Sequence, residues 1–199
     1  MKGMPGSRRD LEAPAARCEA PVRVVVLVGF MGAGKTSVGR ALSKRTGWRF
    51  VDLDDRVQAR EQRTIAGIFR ESGEAEFRRA ESAALRELLQ EVETTPLILA
   101  VGGGAFIQTE NASLLGGTMT PTVFLDAPVE ELWRRCGTDP VERPLRQKES
   151  EFKRLYQRRR PRYLRARLRV ETGGRDIERI VDEIVNSLGL PQPAPGKEK

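Results

Sequence analysis

Lys35, Thr36 and Ser37 close the run Gly29-Phe30-Met31-Gly32-Ala33-Gly34-Lys35-Thr36-Ser37, in which an ammonium group and two hydroxyls follow three glycines. Glycine adopts backbone conformations closed to other residues, so such a run can curl until successive N–H groups converge on one point. A chain of phosphates fits that point. Lys35 would reach its β- and γ-phosphates and the Thr36 hydroxyl would ligate Mg²⁺, so the chemistry on offer is binding and activation of a nucleoside triphosphate. The flanking elements meet the requirement. Val24-Val25-Val26-Leu27-Val28 reads as a buried parallel strand. A helical pattern opens at Lys35 and adds unpaired N–H groups and the positive end of its dipole to the same point. The competing reading is a plain glycine turn with an exposed lysine, and the strand–loop–helix context argues against it.

Three further groups of residues could do chemistry. Trp48–Asp55 reads as a second strand ending in acids, and alternation along it would put Asp52 and Asp54 on one face with Leu53 turned into the core. Acids at the carboxyl end of a parallel strand lie on the rim where α/β proteins bind ligands. Asp54 or Asp55 could equally cap the next helix. Arg78 borders the apolar stripe of an amphipathic helix over Glu74–Val92 (Phe77, Ala80, Ala84, Leu85, Leu88 and Leu89), where Glu81 at i+3 could hold it. A solvated arginine is the alternative there. Finally, the apolar strand Leu97–Val101 runs into Gly102-Gly103-Gly104. In many phosphate-loop proteins such a strand ends in the aspartate that orders Mg²⁺. A glycine stands in its place, and Asp52 is the available substitute. The three glycines either let a small ligand approach the backbone or form a flexible loop.

These residues need a scaffold, and the chain is long enough for one. Its 199 residues suit one domain with helices on both faces of a sheet, and 6% aromatics imply an aliphatic core. Further strands are expected at Thr122–Asp126 and Leu168–Thr172, and further helices at Val57–Phe69, Val129–Cys136 and Asp176–Leu188. Residues 1–21 and 191–199 are expected to be disordered, with the domain over 22–190. The chain has no histidine, which excludes a histidine general base. Cys18 and Cys136 have no metal or disulfide spacing. No apolar run approaches a membrane span and the start lacks the apolar core of a signal peptide, so a cytoplasmic protein with no membrane partner is expected.

The net charge of +7 suggests nucleic acid until its position is considered. Arg143 to Arg169 holds twelve basic residues against Glu149 and Glu151, a net +10 that leaves the remainder at about −3. One concentrated basic segment beside a phosphate loop fits a lid that clamps a polyanionic nucleotide, rather than a dispersed nucleic-acid face.

Taken together, Gly-Phe-Met-Gly-Ala-Gly-Lys-Thr, Asp-Leu-Asp, Gly-Glu-Ala-Glu-Phe-Arg, Gly-Gly-Gly, Arg-Pro-Leu and Arg-Arg-Pro-Arg-Tyr closely resemble the shikimate kinase family, in order, from about Val22 to Leu188. The pairing of Arg78 with Arg159-x-Pro161-x-Tyr163 is more specific than the loop alone. The resemblance implies an α/β P-loop NTPase fold of the nucleoside-monophosphate-kinase type, with a five-stranded parallel sheet flanked by helices and a mobile lid over about 139–160. It implies transfer of the ATP γ-phosphoryl group to the 3-hydroxyl of shikimate by a monomer that uses Mg²⁺. Carried over motif by motif, Gly32, Ala33, Gly34, Lys35, Thr36 and Ser37 cradle the phosphates. Thr36 binds Mg²⁺ directly and Asp52 through water. Asp54, Arg78, Gly103 and Arg159 hold shikimate. Lys35, Asp54 and Arg143 form the catalytic set, with Arg143 as the lid arginine, and Arg135 and Arg175 border the adenine. The segment between Arg143 and Arg159 is shorter and richer in arginine than the family pattern. The rival readings are a gluconate kinase or another small-metabolite kinase, a silent binding protein of the same fold, and a nucleic-acid-binding ATPase.

Overall fold

The computed structural model describes residues 22–92, 94–117, 120–138 and 148–192. Among them, five strands form one parallel sheet in the order β2-β3-β1-β4-β5. These are β1 (Val24–Val28), β2 (Arg49–Asp52), β3 (Leu97–Ala100), β4 (Thr122–Asp126) and β5 (Leu168–Glu171). Val-Val-Val-Leu-Val takes the centre because it has no polar side chain to keep wet: Val26 pairs with Leu99 on one side and Thr122 on the other. The edge strands β2 and β5 carry the part-exposed residues. Seven helices among the described residues connect and cover the sheet: α1 (Lys35–Thr46), α2 (Leu53–Glu61), α3 (Ile65–Glu91), α4 (Thr109–Gly117), α5 (Val129–Thr138), α6 (Glu149–Tyr163) and α7 (Ile177–Leu188).

The neighbours β1 and β3 send their connections in opposite directions, β1 toward β2 and β3 toward β4. Such a switch opens a crevice at the strands' carboxyl ends. The glycine-rich loop after β1 and Gly102–Gly104 after β3 are its two walls. Helix α1 starts on Gly34 (φ 87°) and stops on Gly47 (φ 74°), both left-handed. Gly39 lets it lie tight on the sheet, because a Cβ there would overlap the Phe50 ring.

Several expectations change on contact with the structure. The second strand ends at Asp52, and Asp54 lies in the first turn of α2. Asp52 is the cap itself, accepting from the Asp54 N–H at 3.1 Å. The two acids therefore do not share a strand face: the cap diverts the chain into helix first. The expected helix over Val57–Phe69 is interrupted at Gln62 (φ 54°) and restarts after Thr64, whose hydroxyl accepts from Gly67 N–H at 3.0 Å. Gly73 breaks α3 with φ 78°. Helices α4 and α6 are additions to the sequence reading. The second half of the basic segment is the helix α6, with Phe152, Tyr156 and Tyr163 buried. Residues 1–21, Arg143 and the rest of 139–147, and 193–199 lie outside the described residues. No described helix is long and apolar enough to cross a membrane.

Candidate active site

The phosphate loop is shaped by close backbone approaches. A Cβ on Gly29 (φ 151°) would meet the Leu125 carbonyl at 2.7 Å, and one on Gly32 (φ 80°) the Leu132 carbonyl at 2.8 Å. Only glycine fits either position. Lys35 lies over the loop, its Nζ donating to the carbonyls of Gly29 (3.0 Å) and Phe30 (3.2 Å), so the ammonium is already at the centre of the curl. The Thr36 hydroxyl donates to Asp52 Oδ2 at 3.2 Å, bringing the first turn of α1 to the end of β2. An alcohol and a carboxylate are hard oxygen donors of the kind Mg²⁺ takes, and Mg²⁺ completes its shell with phosphate and water rather than a protein cage. Among the described residues no group of three or more His, Cys, Asp or Glu side chains could hold a metal ion.

The opposite wall is a tripeptide without side chains, against which charged groups converge. A Cβ on Gly102 would lie 3.2 Å from Asp54 Oδ1 and 3.6 Å from Glu81 Oε1. On Gly103 it would lie 2.8 Å from the Tyr163 hydroxyl, 3.4 Å from the Gly29 carbonyl and 3.5 Å from Arg159 Nη1. On Gly104 it would lie 2.8 Å from Arg78 Nη1. Two acids, Asp54 and Glu81, and two arginines thus surround three successive glycines, of which Gly103 lies against the Gly29 carbonyl of the phosphate loop.

Each arginine is held. Arg78 pairs with Glu81 at 2.9 Å and Glu74 at 3.0 Å, and its guanidinium lies 5.0 Å from the Phe77 ring centre. Burial alone would lower the Arg78 pKa, but the two glutamates outweigh it and hold it above the ordinary value. Glu81 is 1% exposed, and burial raises its carboxyl against the opposing pull of Arg78 and Gln108. Arg159 lies over the Phe30 ring of the phosphate loop at 6.0 Å. Beside it, Tyr163 donates to the Gly103 carbonyl at 2.6 Å and so fixes the tripeptide; burial pushes its phenol up to about 12.

The structure therefore brings Lys35, Thr36 and Asp52 to one wall and Asp54, Arg78, Gly103 and Arg159 to the other. Arg135 stands behind the loop, donating to Gly32 O at 3.4 Å, to Glu131 at 2.6 Å and to Thr172 O at 2.9 Å. Arg175 donates to Glu171 O at 2.8 Å and pairs with Glu183 at 2.7 Å, away from the crevice walls. Sequence reasoning gives no part to Gln108, which donates to Glu81, and names Phe30 and Tyr163 only within motifs, without the contact to Arg159 that they make. Their only signal is position: Phe30 inside the loop and Tyr163 one turn after Arg159. It also pools twelve cations, and the fold separates several of the described ones. Arg160 and Arg169 turn to Asp126, and Arg162 donates to Ile107 O.

A parallel sheet in this order, with a glycine loop and its lysine at the switch point and acid and arginine groups opposite, defines a P-loop kinase of a small acceptor. A family profile described as shikimate kinase matches residues 31–189, and the chain belongs to that family of ATP-dependent phosphotransferases. A shikimate kinase from Thermus thermophilus is 41% identical over 178 residues, covering 87% of this chain and 95% of that protein. The solved structure of shikimate kinase from Acinetobacter baumannii in complex with shikimate superposes with a TM-score of 0.76 at 34% identity, over 84% of this chain and 93% of that one. A gluconokinase from Sinorhizobium meliloti aligns with a TM-score of 0.53 at 19% identity, over 85% and 92% of the two chains, a likeness of fold alone.

Proposed function

We propose that this chain transfers the γ-phosphoryl group of ATP to the 3-hydroxyl of shikimate, giving shikimate 3-phosphate and ADP. The observation that carries the reading is the convergence of Asp54, Arg159 and Arg78 on Gly102, Gly103 and Gly104 beside the phosphate loop. A compact acceptor with one carboxylate and several hydroxyls suits that wall. Arg78 and Arg159 grip the carboxylate with paired N–H donors, and the glycines leave room for the ring. Asp54 accepts from the reacting hydroxyl and takes its proton as the oxygen bonds to phosphorus and the bond to ADP breaks.

The remaining work is positioning and neutralisation of charge. Backbone N–H groups of Gly32 to Ser37 hold the phosphates. Lys35 leaves the carbonyls of Gly29 and Phe30 for the β- and γ-phosphates. Thr36 and, through water, Asp52 would hold Mg²⁺, which supplies charge neutralisation at the phosphates. Arg143 contributes from the lid, assigned to about 139–160, with α6 as its rooted side. Arg135 borders the nucleotide behind Gly32, and Arg175, in the loop after β5, is read as a second border of the adenine. The reading is of a monomer that draws ATP and shikimate from the cytoplasm.

The test is a coupled assay of ADP release with shikimate, gluconate and nucleoside monophosphates as acceptors. Shikimate should be preferred by several orders of magnitude in kcat/KM. A preference for gluconate, or ATP turnover indifferent to acceptor, would defeat the reading.

A further inference from the structure

Asp126 ends β4 with its side chain 2% exposed, and no step of the proposed reaction uses it. It is nonetheless the centre of a closed network. The Tyr156 hydroxyl donates to its Oδ1 at 2.8 Å, Arg160 Nη2 donates to its Oδ2 at 2.8 Å, and Arg160 Nε donates to the Tyr156 hydroxyl at 3.0 Å. Arg169 of β5 adds a bond to Oδ2 at 3.0 Å. A buried carboxylate is costly unless it is paired, and two guanidiniums and a phenol satisfy it here.

Tyr156 and Arg160 are one turn apart on α6, and so are Arg159 and Tyr163, on the same side of the helix. Along β4, Phe124 and Asp126 are alternate residues and face one way. Phe124 meets the Tyr163 ring at 5.3 Å, while Asp126 meets Tyr156 and Arg160. The ring contacts can slide and turn. The hydrogen bonds to both carboxylate oxygens are directional and restrain the rotation of α6 about its axis, beside the bonds of Tyr163 to Gly103 O and of Arg162 to Ile107 O.

From this we propose that Asp126 is a positioning residue for the acceptor site. By holding Tyr156 and Arg160, it sets the rotation of α6 at which Arg159 faces Gly103 and the Tyr163 hydroxyl reaches the Gly103 carbonyl. The inference rests on the assignment of shikimate to Arg159.

The experiment compares Asp126→Asn, Arg160→Met, the double variant and Arg159→Lys, each by KM for shikimate, KM for ATP and kcat. Asp126→Asn and Arg160→Met should each raise the shikimate KM by about five- to tenfold, leave the ATP KM within about twofold, and fail to add in the double variant, because they break one network. A purely structural role would lower Tm or the active fraction without this split, and that result would overturn the proposal. So would equal changes in both KM values. If Asp126→Asn does not fold, Arg160→Met decides alone, its side chain being 34% exposed. A raised shikimate KM in Arg159→Lys with none in the other two overturns only the positioning role. No change in Arg159→Lys overturns both that role and the placement of shikimate on which it rests.

Discussion

The Thr36 hydroxyl donates to Asp52 Oδ2 at 3.2 Å, while Asp52 Oδ1 caps α2 through the Asp54 N–H at 3.1 Å. One carboxylate thus joins the phosphate loop to the helix that carries the candidate base. Its two oxygens do separable jobs, so substitutions can divide them. Asp52→Asn keeps a good cap but loses the anionic charge. The Mg²⁺ concentration for half-maximal activity should rise about tenfold, as for loss of other outer-shell carboxylates, with Tm nearly unchanged. Asp52→Ala should show the same metal effect and also lose about 1 kcal/mol of stability. An unaltered Mg²⁺ dependence in both would remove Asp52 from the metal site.

Lys35 carries the second prediction. Its ammonium donates to two loop carbonyls, Gly29 O and Phe30 O, at the surface of the crevice rather than in the core. Lys35→Ala should therefore leave circular dichroism and Tm close to those of the parent and lower kcat by ~10²–10³, the usual loss for one donor to developing charge. A kcat within about threefold of the parent would exclude Lys35 from phosphoryl transfer.

The sequence announces the nucleotide half of this site more clearly than the acceptor half, for a physical reason. Binding phosphates takes one continuous segment, β1 to α1, whose strand, glycines, lysine and threonine are adjacent in the chain. The acceptor wall is assembled from α2, α3, the loop after β3 and α6, so its residues are legible one by one but their meeting is not. Asp54 shows the limit most plainly. Alternation of side chains puts it on the strand face of Asp52, but a capping bond two residues long turns the backbone into helix before Asp54 is reached. Glu81 is legible as the i+3 partner of Arg78, whereas Gln108 is 27 residues from Glu81 and nothing local marks it. Asp126 looks like an ordinary strand end until α6 and β5 close over it.

Gly104 and Gly116 test the side-chain-free wall. A Cβ at Gly104 would lie 2.8 Å from Arg78 Nη1 and 2.9 Å from Nη2, both at the far end of a flexible side chain. Gly104→Ala should therefore fold, displace the guanidinium and raise the shikimate KM about tenfold, or ~1.4 kcal/mol, with little change in the ATP KM. Gly116 lies in α4, where an added methyl group would meet nothing within 4 Å. Gly116→Ala should leave kinetics alone and stabilise by about 0.5–1 kcal/mol. A Gly104→Ala enzyme with parental shikimate KM would mean that Arg78 does not hold the acceptor.

The last prediction uses the scarcity of tyrosine: the chain has two, Tyr156 and Tyr163, and both lie on α6. Burial pushes each phenol up to about 12; at Tyr156 the Asp126 carboxylate adds to the effect, and at Tyr163 the Arg159 guanidinium opposes it. The folded state therefore holds both phenol protons more tightly than the unfolded chain, whose tyrosines titrate near 10. The stability this contributes is present in full below about pH 10 and is lost as pH rises from there toward 12, because in that window the unfolded state binds fewer protons. Tyrosinate absorbance should show no step near pH 10 in the native protein and a normal one in urea. Circular dichroism followed through the same titration should fall only as the tyrosinate signal appears. Tyr156→Phe and Tyr163→Phe should each remove half of the late signal. Tyr163→Phe should also raise the shikimate KM by releasing the Gly103 carbonyl, whereas the absorbance of either variant reports packing of α6 alone. A native tyrosine titrating near 10 would show that its ring is open to water, and that α6 does not lie against β4 as described.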